Sequence, residues 1–149
     1  MLRQLLLLVH LLAAFAWVGG MFFAHFCLRP SAAEVLDPPN RLKLLNATFA
    51  RFLRYTALAV TLLLVTGGWL LAQVGFAHAP IGWHVMLALG LVMTAVFARV
   101  YLVLFPRLRE ACAAGTWPVA AEALQGMRRL VAWNLALGLC TVAAAVFAR

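Results

Sequence analysis

Four long apolar runs dominate this chain: Leu5–Phe26, Tyr55–Phe76, Ile81–Phe105 and Leu130–Ala148. About 20 such residues cross the hydrocarbon core of a bilayer. Backbone N–H and C=O groups find no water there, so each run must close its hydrogen bonds internally as a helix. The expected fold is all-α, an integral membrane four-helix bundle with helices at about 5–26, 55–76, 81–105 and 130–148, forming a single transmembrane domain over residues 1–149. Composition agrees. Charged residues make up 11% of the chain and apolar ones 66%, whereas a soluble domain carries about 25% charged residues. Arg3 followed by apolar residues resembles the start of a signal peptide, but the first run is long enough to span and is read as a retained helix.

The net charge is +8. The cations stand at the ends of the apolar runs, where they orient a membrane protein, and this argues against nucleic acid as a partner. Arg29, Arg41, Lys43, Arg51, Arg54, Arg99, Arg107, Arg109, Arg128 and Arg129 lie in or beside the first and third connections; Arg3 and Arg149 lie at the other side. The positive-inside rule puts the long basic connections in the cytoplasm of a bacterial-type inner membrane, with both termini and the short His78 loop on the outer, periplasmic side. The four acids, Glu34, Asp37, Glu110 and Glu122, all fall on the basic side. No paired carboxylates, nucleophile elbow or phosphate loop accompanies them, so no catalytic residue is assigned. Cys27, Cys112 and Cys140 are odd in number and form no CxxC, which argues against a disulfide framework or a thiolate zinc site.

The connections carry local signals and no sequence repeat. Asp37-Pro38-Pro39-Asn40 breaks the chain. Leu42, Leu45, Phe49 and Phe52 then recur at helical spacing among cations, an amphipathic lead-in expected at the membrane surface. Ala111–Ala114 extends the third helix to a terminator at Gly115, and Thr116 is placed to cap a fourth helix opening with Trp117-Pro118.

Ionisable groups inside a bilayer are costly and mark function. His10 is the deepest histidine, and Arg3, His10 and Trp17 share one helical stripe because seven residues make almost two turns. His84 lies at the matching depth in the third helix, with His78 in the outer loop as its substitute. Two facing histidines in a helix bundle can grip haem iron axially, and a cation such as Arg3 suits a propionate. The site so read is His10 and His84 as iron ligands, with Arg3 and Trp17 beside the haem. Against this stands simple packing, with His10 bonded to a neighbouring helix. Copper is the rival cofactor: His10, Met21, Met86, Met93 and Cys140 offer imidazole and soft ligands, though in no tight motif. His25 lies 15 residues below His10, about 22 Å, and is read as an interfacial residue. The pairs Gly19-Gly20 and Gly67-Gly68 are read as close helix-packing sites.

His10, Trp17, Gly19 and Gly20 form HxxxxxxWxGG within LVHLLAAFAWVGGMFF, followed by LDPPNRLKLLNATFARFLRY, HVMLALGLVM and RRLVAWNLALGLCTV. Together these resemble the small membrane proteins of the copper-resistance protein D (CopD) superfamily, over nearly the whole chain. The first motif is also similar to that of the haem-binding HemJ family. The resemblance implies copper uptake or tolerance by the family's name, and b-type haem and electron transfer by its relatives, with His10 as the residue that best matches a haem ligand.

The leading expectation is therefore a membrane redox protein holding one haem b near the outer face and exchanging electrons with a membrane or periplasmic carrier. The alternatives are a copper-handling membrane protein and a non-catalytic assembly or scaffold protein. The lipid bilayer is the one certain surrounding, and a homodimer is left open.

Overall fold

A computed structural model describes residues 1–147, with side chains to residue 146. Four long helices account for it: α1 (Leu2–Val35), α2 (Pro38–Val74), α3 (Ile81–Ala113) and α4 (Trp117–Phe147). Each is long and apolar enough to cross a membrane, and no strand occurs among the described residues. The expected end of the fourth span at residue 148 lies outside them.

Every helix is longer than its apolar run because the flanking amphipathic segments continue it. Two of them do so across a proline. Pro30 and Pro106 lack an N–H and press on the carbonyl one turn earlier, which would kink an ordinary α-helix. In α1 the residues just before Pro30, Ala24–Leu28, open into a wide π turn; in α3 Val100–Leu104 do the same before Pro106. The π turn takes up the residue whose α-helical bond the proline cannot complete. Each extended helix then stops, and the next begins with a proline in its first turn, at Pro38–Pro39 and at Pro118. The chain thus runs twice through one plan without a sequence repeat.

The stops are built locally. Asp37 caps α2, its carboxylate accepting from the Asn40 backbone N–H at 3.5 Å and from the Asn40 amide at 2.7 Å. Gly75 ends α2 at φ 83° and Gly115 ends α3 at φ 68°, backbone that glycine adopts without penalty. Thr116 differs from expectation. Its hydroxyl donates to the Ala111 carbonyl at 3.2 Å, closing the end of α3 and leaving the start of α4 without that cap.

α1 packs chiefly on α2 and α3 chiefly on α4, and the two hairpins join through α1 on α4 and α2 on α3 alike. At the basic end all four helices meet in a dense core of Ala24, Leu42, Leu45, Phe49, Leu53, Val100, Phe105, Leu108, Ala120, Ala123 and Met127. This overturns the surface placement of the Leu42–Phe52 lead-in: it stands in line with α2, and Leu42, Leu45 and Phe49 are buried against the other helices. Its apolar stripe finds the ends of α3 and α4 there, a better-packed apolar partner than headgroups. Lys43 reaches over the Trp117 ring at 5.6 Å, and Arg107 pairs with Glu122 at 3.2 Å on the outside of this end.

Towards the His78 end burial thins. The four largest fully buried side chains, Leu45, Val100, Leu108 and Met127, all belong to the basic half. Leu5, Leu8, Leu12, Leu64, Trp69, Val85 and Val142 present apolar surface outward, as lipid requires.

Candidate functional site: the His10–Thr66 seam

His10 lies where α1 and α2 pack in the looser half of the bundle. Its Nδ1 stands 2.8 Å from the hydroxyl oxygen of Thr66. That hydroxyl has one proton, and it donates to the Leu62 carbonyl one turn back, at 2.6 Å. With the hydroxyl proton on that carbonyl, the Thr66 oxygen accepts and Nδ1 of His10 carries the ring proton. In the neutral imidazole this fixes the lone pair on Nε2. No described side chain bonds Nε2, and it is not sealed in the core. Metal-ligating histidines are oriented in just this manner, one nitrogen held by an outer partner and the other offered to the metal.

Gly67 completes the seat. A Cβ placed there would come 3.1 Å from Cε1 of His10, so a larger residue would push the ring away from α2 by a few tenths of an ångström. The paired glycines divide their roles. Gly20 admits the Phe52 ring so closely that a Cβ would collide with it, whereas Gly19 and Gly68 face open space. The expectation of close packing holds for one member of each pair.

The other expected site residues are placed elsewhere. The Nε2 of His84 meets the Phe76 carbonyl at 3.0 Å and its Nδ1 meets the Pro80 carbonyl at 3.3 Å, while the ring stands edge-on to Phe76 at 4.5 Å. Both nitrogens face carbonyls of the loop that precedes α3; the neutral ring has one N–H to give, so it donates to one of the two. α1 and α3 are not principal packing partners. His78 is exposed in the short turn Phe76–His78. Arg3 is exposed at the start of α1. Trp17 is buried among Met21, Val60, Met93 and Leu135 and meets the Phe97 ring edge-on at 6.1 Å. Of the soft ligands, Met93 is buried and accepts a weak bond from the Thr141 hydroxyl at 3.8 Å, whereas Cys140 is exposed. Among the described residues no three His, Cys, Asp or Glu side chains cluster to enclose a metal.

The donor set for a cofactor is thus a single intramembrane imidazole with an ordered partner. It fits one ligand position on copper or on haem iron. A bis-histidine haem would need His10 and His84 presented to one iron by α1 and α3, which are not principal packing partners.

Thr66 was not among the residues the sequence singled out, and the signal for it was depth. His10 lies eight residues from the start of α1 at Leu2, and Thr66 eight residues from the end of α2 at Val74. At 1.5 Å per residue both lie about 12 Å in from the same end. A search for polar groups level with His10 on the antiparallel neighbour would have found it.

A bundle of four helices long and apolar enough to span, with an imidazole in the seam between two of them, defines a multi-pass membrane protein. The family model for copper resistance protein D matches residues 46–148, and the chain belongs to that family, a copper-related group of membrane proteins. The match takes in Thr66 and Gly67, while His10 and Trp17 precede it. No curated protein and no solved structure matches the chain.

Proposed function

We propose that the protein handles copper within the membrane, taking it as cargo at His10. The observation that carries this reading is the Thr66–His10 bond, which leaves an unshared Nε2 lone pair. Imidazole suits both copper oxidation states, and family membership supplies the metal. One strong donor holds an ion weakly, which suits passage or delivery better than storage. In the orientation favoured by the positive-inside rule, the basic ends face the cytoplasm of an inner membrane and His10 lies in the outer half, where copper entering from outside would meet it first. Cells with and without the gene, loaded with copper, test this. Copper content and copper sensitivity should differ between them, and His10→Ala should behave as the deletion. Equal content and equal sensitivity would remove the reading.

A second reading, b-type haem and electron transfer, draws on the same seam. Gly67 gives the imidazole a flat floor, and Nε2 is free for iron. Haem supplies one-electron chemistry when bound; His10 would hold it and Arg3, on the same stripe, would pair with a propionate. A reduced-minus-oxidised absorption spectrum of protein purified with haem added decides this one: no Soret band, or one that survives His10→Ala, counts against it.

A further inference from the structure

The basic end holds a group of cations that the fold does not neutralise. His25 lies within the π turn of α1, and Arg29 follows one turn on. Together with Arg128 of α4 they line a small cavity floored by Ala24, Phe49, Leu124 and Met127. Arg128 and Arg41 both stand near enough to repel the charge on Arg29. The Nδ1 of His25 and the Nε of Arg29 are buried and have no hydrogen-bond partner among the described residues. The ion pair formed among those residues, Arg107 with Glu122, lies elsewhere on the surface.

A half-buried guanidinium with a sealed, unpaired N–H is costly. Gathering further cations round it raises that cost. Such an arrangement persists when an anion completes it, and Arg guanidinium forks are shaped for phosphate oxygens. The depth indicates the source. His25 lies 23 residues from the start of α1 at Leu2, about 35 Å along the helix, past a hydrocarbon core of about 30 Å and at the level of lipid phosphates. Beside the cavity, Phe22, Phe23 and Phe26 are exposed, with Phe26 edge-on to the His25 ring at 4.8 Å, and they offer an apolar wall to acyl chains.

We propose that His25, Arg29 and Arg128 form a binding site for the phosphate of an anionic phospholipid, with Arg41 adding to its field. The π turn is what gives the site its shape, since it carries His25 within the helix end that places Arg29 against α4.

The test uses the full chain in neutral detergent, supplied with phosphatidylglycerol, with phosphatidylcholine or with inorganic phosphate. Retained lipid is read by native mass spectrometry and thermal stability by intrinsic fluorescence. Phosphatidylglycerol should bind and raise the melting temperature of the wild type; the other two should not. Arg128→Gln, an exposed position whose change leaves the fold intact, should weaken phosphatidylglycerol binding about tenfold, as loss of a charge-assisted contact does. Its neighbour Arg129, also exposed but outside the cavity, is the control: Arg129→Gln should bind as the wild type. Equal losses from Arg128→Gln and Arg129→Gln would reduce the effect to general surface charge and overturn the site. Stabilisation by inorganic phosphate equal to that by phosphatidylglycerol would overturn the lipid as its occupant.

Discussion

A threonine hydroxyl decides what His10 can do. With its one proton on the Leu62 carbonyl, Thr66 accepts from the imidazole, and the ligating nitrogen is set before any metal arrives. Thr66→Val keeps the shape and removes the acceptor. It should lower copper affinity about 10- to 100-fold, the usual cost of losing an outer-shell partner, while leaving the melting temperature nearly unchanged. Thr66→Ser should restore binding; a Thr66→Val protein with wild-type affinity would show that Thr66 does not orient the ring. His10 was legible as a lone buried imidazole in an apolar run, but its partner was not. Thr66 reads as an ordinary threonine until the antiparallel packing of α1 on α2 brings it level. His84 shows the converse. Its depth matched His10, but depth does not say where a ring points, and the carbonyls of Phe76 and Pro80 claim it.

The ends of the helices carry their own instructions. Proline, glycine and the Asp37 cap stand where the elements stop. The Asn40 side-chain bond holds the Asp37 carboxyl below its ordinary value of 3.8, with the Asn40 backbone N–H adding to it. A carboxyl whose pKa is lower in the folded state stabilises fully above its unfolded value, and that contribution fades as pH falls through the folded value. The melting temperature of Asp37→Ala should thus sit below that of the wild type at neutral pH, and the gap should close as the pH drops below 3.8. A gap that persists in acid would mean the cap does not act through its charge. The long extensions of the helices were legible as amphipathic stripes, but not as parts of the bundle. An apolar stripe states that something covers it and is silent on whether lipid or another helix does so. The wide turns before Pro30 and Pro106 could not be read either, because a proline that ends a helix and one absorbed by a π turn have the same sequence signature.

At the scale of the molecule, burial is concentrated at the basic end, and the two hairpins are tied there. Leu108, fully buried in that core, should cost about 2–5 kcal/mol when cut to Ala, read as a loss of unfolding free energy in detergent. Gly138 marks the tie further along. A Cβ there would meet Val18 of α1 at 3.0 Å and Met93 of α3 at 3.3 Å, so Gly138→Leu should wedge α4 from both and destabilise by about 1–3 kcal/mol. Gly19→Leu, which points into open space, should be tolerated. The number of spans, the short turn at His78 and the basic connections were all legible because lipid leaves a chain so few alternatives. The pairing of the hairpins was not, since apolar residues facing lipid and facing a neighbouring helix look alike. The most direct test of the copper reading is a Cu(I) titration of the purified protein in detergent, wild type against His10→Ala, with copper kept at equilibrium against a weak competing chelator as the readout. We expect the wild type to keep copper and His10→Ala to lose it while melting at the same temperature; equal retention by the two proteins would contradict His10 as the copper ligand.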